Sequence, residues 1–445
     1  MNARLAHALI AAASAPAYRR FARALREPER AQRAILTAII GDESYERFRD
    51  RAPVTTYADY ADSFERLRAT DRSLRFQPTS GSTSSRKWIP YPRSFVRELD
   101  AAIAPWMFDL GRRHPGVRRG RHYWSLSWMP DELRAASNDD LELLPWTRRL
   151  LMRSTMAVPS SIVKTATSAE AMQATADALA RCRDLTFISV WSPTFLLRLL
   201  QLIGEEPAKL WPDLAVISCW TTGASAKWAE ELARACPQAA IEPKGLFATE
   251  GVVTIPFRER FPIAIRSHFY EFVCIGTSEI RASWQLEKGQ RVKPLVTTSS
   301  GLRRYQLDDV LEVDGFIERT PSLQFLGRER GIDLVGEKLD NELVSAALAA
   351  VGAQWFTLFA VEEQKHYCLI AAADCDADGA LQSIHHYRVA REIGQLGPAR
   401  VVVCDDPVRF FDDYAAKCGI LAGELKVEPL MMWRLPGSPS HGVLE

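Results

Sequence analysis

Thr79-Ser80-Gly81-Ser82-Thr83-Ser84-Ser85-Arg86-Lys87, followed by Trp88-Ile89-Pro90, governs how the rest of the chain reads. Seven of these nine residues carry a hydroxyl or are glycine, and the run closes on two cations. Such a loop suits a polyphosphate. Gly81 lets the backbone approach closely, hydroxyls and amides donate hydrogen bonds, and Lys87 supplies charge. Each charge-assisted bond contributes ~1.5–3 kcal/mol, so a few orient a nucleoside triphosphate. By composition alone the run reads equally well as a flexible serine-rich linker. Its flanks argue for a held loop: Leu74-Arg75-Phe76 leads in and Trp88-Ile89-Pro90-Tyr91 leads out, which places the run at a hairpin tip. It is not a Walker A site, which needs G-x-x-x-x-G-K-[ST] opening a helix.

Outward from the loop, the composition is that of a globular enzyme. The chain has 445 residues, 47% hydrophobic and 25% charged, with a formal net charge of +1. That leaves room for a sizeable core in two unequal domains or three. The charge balance gives no reason to expect nucleic acid or a membrane as partner. The cluster Arg112, Arg113, Arg118, Arg119, Arg121 reads as a solvated turn. Eight cysteines are scattered without C-x-x-C or histidines at zinc spacing, so a reduced, cytoplasmic setting is expected. Leu5 to Ala13 after Arg4, with Ala13-Ser14-Ala15 beyond, imitates a signal peptide. The pattern continues through Tyr18, Phe21 and Leu25, however, and predicts a docked amphipathic helix. No run reaches the ~18–20 apolar residues of a membrane span.

Residues 31–40, 57–67 and 93–113 have helical spacing, and 122–128 alternates as a strand. From 168 onward helix and strand take turns: helices at 169–181, 193–202 and 227–235, strands at 186–190 and 215–220. That rhythm predicts a parallel sheet with covering helices. Strands are then expected at 252–257, 269–275, 310–313 and 323–326. A small α+β lobe follows, with strands at 355–361, 367–372 and 401–404 around a helix at 379–393. Gly327 and Gly331 bracket a charged segment, so the boundary falls at Arg328 to Asp333.

The loop resembles the phosphate loop of the adenylate-forming superfamily, T-S-G-S-T-G-x-P-K, with Ser84 and Arg86 in place of Gly and Pro. These departures and the trailing Ile89-Pro90 resemble the Gretchen-Hagen-type acyl-acid amido synthetases, first known as plant auxin-responsive proteins and present also in bacteria. Further stretches follow in the family's order. Trp220-Thr221-Thr222-Gly223-Ala224 lies between a strand and a helix, where amides suit a nucleotide; alone it reads as an ordinary turn. Gly245-Leu246-Phe247-Ala248-Thr249-Glu250-Gly251 resembles the Y-x-S-S-E or Y-G-x-T-E element, with Leu246 where an adenine-stacking tyrosine often stands. Tyr305-Gln306-Leu307-Asp308-Asp309-Val310 resembles Y-R-x-G-D-V, and Gln324-Phe325-Leu326-Gly327-Arg328 the segment after it. Gly419 to Val427, containing Glu424-Leu425-Lys426, resembles the carboxy-terminal G-x-x-x-x-Q-x-K-x-P region.

The resemblance implies an α/β and α+β fold. A large adenylate-forming N-terminal domain (1–328) would combine mixed sheets and helices, and a small mobile α+β C-terminal domain (329–445) would follow. It implies an ATP- and Mg²⁺-dependent ligase that makes acyl-AMP from a carboxylic acid and passes the acyl group to an amine, an amino acid, to form an amide. Ser80, Gly81, Ser82, Thr83 and Lys87 would hold phosphates, and Thr222, Gly223 and Ala224 would meet adenine. Thr249 would touch the α-phosphate and Glu250 would hold Mg²⁺, a hard cation suited to carboxylate and phosphate oxygens. Asp309 would accept both ribose hydroxyls, with Arg328 beside them at the hinge. Lys426 would be the mobile catalytic lysine, with Lys338 its competitor. Transfer to CoA or a carrier-protein thiol is the nearest alternative, and a non-catalytic nucleotide-binding protein the other. Trp124, Trp191 and Trp220 read as core or as walls of a flat acyl pocket.

Overall fold

In the computed structural model, the apolar edges of the hydroxyl-rich run pair as predicted. Strands β1 (Phe76–Pro78) and β2 (Trp88–Pro90) are antiparallel, with Phe76 opposite Pro90 and Pro78 opposite Trp88. The Thr79 amide donates to the Lys87 carbonyl at 2.8 Å and closes the neck of the loop. The structure describes residues 2–79, 87–125, 154–159, 162, 168–222, 225–328, 331–335, 337–420 and 423–439.

The alternating middle of the chain builds a four-stranded parallel sheet. Its strands are β3 (Arg121–Trp124), β4 (Leu185–Ser189), β5 (Val216–Cys219) and β6 (Ala240–Pro243), in that spatial order. β4 and β5 are buried along their whole length, as a sheet covered on both faces requires. Helices Ser168–Arg181, Pro193–Ile203 and Ala226–Ala235 make the connections. The second opens on a proline at its first turn and stops at Gly204, whose φ of 66° is left-handed. β6 has no counterpart in the sequence reading because it carries Glu242 and ends in Pro243, which an edge strand tolerates.

Two short strands, β7 (Phe247–Ala248) and β8 (Gly251–Val252), lead to a six-stranded antiparallel sheet. It comprises β9 (Phe269–Cys274), β10 (Ile280–Ala282), β11 (Arg291–Thr297), β12 (Tyr305–Gln306), β13 (Asp309–Ile317) and β14 (Thr320–Arg328). The order is β10-β9-β11-β13-β14, with β12 on β11. The strand expected at 252–257 shortens to β8, and Thr254 and Phe257 make only isolated bridges. A last mixed sheet holds β15 (Trp355–Val361), β16 (His366–Ala371), β17 (Arg400–Val403) and β18 (Leu430–Met432), in the order β17-β16-β15-β18. The single helix expected at 379–393 is two, Ala377–Leu381 and His385–Glu392, the first capped by the Asp376 carboxylate. Helix Pro407–Lys417, capped by Asp406, was not anticipated.

The parallel sheet and the C-terminal lobe meet across an apolar seam. Leu196, Leu199 and Trp228 share one buried cluster with Phe356, Phe359, Phe411 and Tyr414. Trp228 stacks on Phe356 with centroids 5.7 Å apart. Lys227 Nζ donates to the Trp355 and Phe356 carbonyls at 2.8 and 3.2 Å. Arg198 lies 3.8 Å from Asp412, whose carboxyl burial pushes up to about 6.

The amino-terminal segment is the expected docked helix, Ala3–Ala24, which buries His7, Tyr18 and Phe21. The His7 ring bonds to the Gly120 carbonyl at 2.9 Å and stacks on His122. The arginine cluster is a solvated turn only in part: Arg112, Arg119 and Arg121 are exposed, while Arg113 and Arg118 are drawn inward. Arg113 pairs with Asp109 and Glu242, Arg112 donates to the Tyr18 hydroxyl and Arg118 to the Phe108 carbonyl. The reason is a buried carboxylate, Asp109, four residues from Arg113 on one helix face. All eight cysteines are free thiols, and among the described residues no helix is long and apolar enough to cross a membrane.

Candidate functional site

Three predicted elements converge on Tyr305. β2 begins just after Lys87, β12 begins at Tyr305, and Glu250 ends the turn between β7 and β8. Lys87 Nζ donates to the Tyr305 hydroxyl at 3.1 Å, and that hydroxyl donates to Glu250 Oε1 at 3.4 Å. Lys87 also lies 5.8 Å from both the Tyr57 and Tyr305 ring centroids. Burial, followed by the negative charge of Glu250, drives the Tyr305 phenol pKa upward, so it remains a protonated donor. Thr249 adjoins Glu250, and its carbonyl accepts from the Tyr91 hydroxyl at 2.9 Å. Cation, phenol and carboxylate thus form one continuous line beneath the neck of the hydroxyl-rich loop.

Asp309 and Arg328 are direct partners across the β13–β14 hairpin, and Asp309 is buried at 6% exposure. Of Arg328 only the backbone is described. Lys426 reaches the same hairpin: its Nζ sits 3.8 Å from the centroid of Phe325, three positions before Arg328. Glu428 lies 3.8 Å from that Nζ. Lys338, by contrast, is exposed in a turn with φ 47°. Thr222 sits at the turn before helix Ala226–Ala235, where its carbonyl accepts from the Ser225 amide at 3.3 Å. Ser80, Gly81, Ser82, Thr83, Gly223 and Ala224 lie outside the described residues.

Gly245, between β6 and β7, is fixed by backbone proximity: a Cβ there would stand 2.0 Å from the Thr254 carbonyl oxygen. Gly245→Ala is expected to destabilise the fold by ~1–3 kcal/mol or more, read as a lowered Tm by calorimetry. Sequence reasoning overlooked the residue before it. Lys244 Nζ donates to Ser189 Oγ at 2.7 Å and lies 4.7 and 5.3 Å from the Trp191 and Trp106 ring centroids. Its signal was a lysine immediately before the Gly-x-x-x-Thr-Glu element. Trp124, Trp191 and Trp220 are half-buried rather than core.

Among the described residues no three histidine, cysteine or carboxylate side chains converge as a metal cage. A single carboxylate such as Glu250 fits Mg²⁺, which takes one or two carboxylates and completes its shell with substrate phosphates.

The GH3 family N-terminal domain model matches residues 17–210, and the GH3 family central domain model matches residues 261–328. A probable indole-3-acetic acid-amido synthetase GH3.6 of Oryza sativa subsp. japonica is 27% identical over 157 residues, 32% of this chain and 32% of that protein. Indole-3-acetic acid-amido synthetase GH3.3 of Arabidopsis thaliana is 26% identical over 152 residues, 31% of this chain and 26% of that one. The chain therefore spans about a third or less of the length of these curated relatives. In fold it resembles AtGH3.15 acyl acid amido synthetase in complex with 2,4-DB, with a TM-score of 0.74 at 14% identity over 93% of both chains. It also resembles 2-hydroxyisobutyryl-CoA ligase in the postadenylation state, with a TM-score of 0.52 at 15% identity over 97% of this chain and 88% of that one. With the family's N-terminal and central domain models matched in sequence order, this chain belongs to the GH3 family.

Proposed function

We propose that the protein is an ATP-dependent ligase that activates a carboxylic acid as acyl-AMP and transfers the acyl group to an amine, an amino acid, to form an amide. The observation that carries this reading is the Lys87–Tyr305–Glu250 line, with Lys426 brought to the hairpin that holds Asp309 and Arg328. A carboxylate oxygen of the acid attacks the α-phosphorus of ATP, and the bond to pyrophosphate breaks. The amine nitrogen then attacks the acyl carbon, AMP leaves with the bonding electron pair, and the amine proton passes to solvent.

In this reading Lys87, with Ser80, Gly81, Ser82 and Thr83, balances the charge of the departing phosphates. Thr222, Gly223 and Ala224 border adenine, Asp309 and Arg328 hold ribose, and Thr249 meets the α-phosphate. Mg²⁺ held by Glu250 would supply further charge neutralisation. The Tyr305 hydroxyl positions both Lys87 and Glu250, so Tyr305→Phe is expected to lower kcat/KM for adenylation about 10- to 100-fold through the loss of its two hydrogen bonds to charged groups. We place the domain boundary at 328/329, with residues 329–445 turning about 328–333 between the two half-reactions. Eight free thiols support a cytoplasmic location, and a net charge of +1 supports small-molecule rather than nucleic-acid partners.

Pyrophosphate release from MgATP is the deciding assay, run with pooled carboxylic acids and with or without pooled amino acids and CoA. Acid-dependent release raised by amino acids is the expected result. Stimulation by CoA alone would make the product a thioester. Silence in every pool, with ATP still bound by calorimetry, would overturn the ligase reading in favour of a nucleotide-binding protein.

A further inference from the structure

Every strand of the parallel sheet delivers one large side chain to the same edge. Trp124 ends β3, Trp191 and Trp220 follow β4 and β5, and Lys244 follows β6. In open parallel sheets, ligands bind beyond the carboxyl ends of the strands. The side chains here form a chain of aromatic contacts in which Trp106 is buried and Trp124, Trp191, Trp220 and Phe247 each keep part of their surface open. Trp191 lies 6.1 Å from Trp220 and 5.9 Å from Phe247, and Trp106 lies 5.5 Å from Phe247 and 6.3 Å from Trp124.

Among these side chains Lys244 has fewer partners than donors. An ammonium offers three N–H groups. One bonds to Ser189 Oγ at 2.7 Å, while the others face the indoles of Trp106 and Trp191. Among the described residues no carboxylate pairs with it, and desolvation lowers its pKa to about 7. An amine held this way, at an edge where ligands bind, is kept protonated and satisfied by an acceptor that the ligand brings. The Lys244 group also shares no residue with the Lys87–Tyr305–Glu250 line or with Tyr91 and Thr249. Its acceptor therefore need not be the carboxylate being activated.

We propose that Lys244, steadied by Ser189 and walled by tryptophans, is a specificity-determining residue for flat aromatic acids that carry a second acceptor, a phenolic oxygen or a second carboxylate, at their far end. This rests on the acyl-adenylate reading above, so binding and turnover are measured separately. Calorimetry compares benzoate with 4-hydroxybenzoate and terephthalate on the wild type, Lys244→Met and Lys244→Arg, and pyrophosphate release is followed on the same acids. The wild type is expected to bind the better acceptor-bearing acid about 10- to 100-fold more tightly than benzoate, a preference that Lys244→Arg retains and Lys244→Met reduces to about twofold or less. Equal wild-type affinities within both pairs would overturn the assignment whether or not the methionine variant folds, as would a preference surviving in Lys244→Met. Preferential binding without pyrophosphate release from any acid would overturn the ligase reading and leave Lys244 as an acid-binding residue.

Discussion

Lys426→Ala is expected to slow acyl-adenylate formation by about 10²-fold or more while the protein stays folded. Negative charge grows on the pentavalent α-phosphorus as the carboxylate arrives, and a preorganised ammonium stabilises that charge more than it stabilises bound ATP. Lys426 is placed for this. It reaches out of the C-terminal lobe onto Phe325, on the strand that carries Arg328 opposite Asp309. The alanine variant loses the cation–π contact with Phe325 and the 3.8 Å pairing with Glu428, whose carboxylate keeps the hydrogen bond donated by Asn341. Pyrophosphate release measures the first half-reaction, and consumption of chemically prepared acyl-AMP measures the second. The expected pattern is a large loss in the first and a smaller one in the second. Undiminished pyrophosphate release would remove Lys426 from adenylation and direct attention to Lys338.

Glu250→Gln is expected to lower adenylation by about 10²–10³-fold and to raise the Mg²⁺ concentration needed for half-maximal rate. Glutamine keeps the size of the side chain and still accepts from the Tyr305 hydroxyl, so the line from Lys87 stays in place. What disappears is the negative charge that a hard divalent cation requires from its protein ligand. A magnesium titration at saturating acid and ATP is the check. An unchanged magnesium dependence with reduced turnover would reassign Glu250 from metal binding to positioning Tyr305.

The parallel sheet was legible in the chain because its inner strands centre on aromatic and β-branched apolar residues between amphipathic helices. Phe187 and Ile188 in β4, and Val216 and Ile217 in β5, can be little else. β6 and β11 were not, since Glu242 and Pro243 in one, and Lys293 and Pro294 in the other, break the apolar pattern that marks a strand. Helix Pro407–Lys417 was hidden by Phe410, Phe411 and Tyr414, whose aromatic density is equally at home in a strand. At the site, local motifs picked out Glu250 and Asp309. The partnership of Lys87 with Tyr305, 218 residues apart, depends on β2 and β12 arriving at one place, which no local pattern encodes. Lys244 was missed for a similar reason: Ser189 and Trp191 reach it from the end of β4, and Trp106 from helix Arg93–Arg113.

The seam between Trp228 and Phe356 gives the C-terminal lobe a default position. Swinging it away exposes aromatic side chains at ~1.5–3 kcal/mol each. Lys227 must also release two carbonyls. A ligand can move such an equilibrium only by its difference in affinity for the two positions. In the proposed cycle, loss of pyrophosphate is the event that changes what the site holds, and so it is the event able to free the lobe. If the lobe turns in this way, the order of substrates becomes a property of the fold: acyl-AMP would stay covered until pyrophosphate has left, and only then would the acceptor reach it.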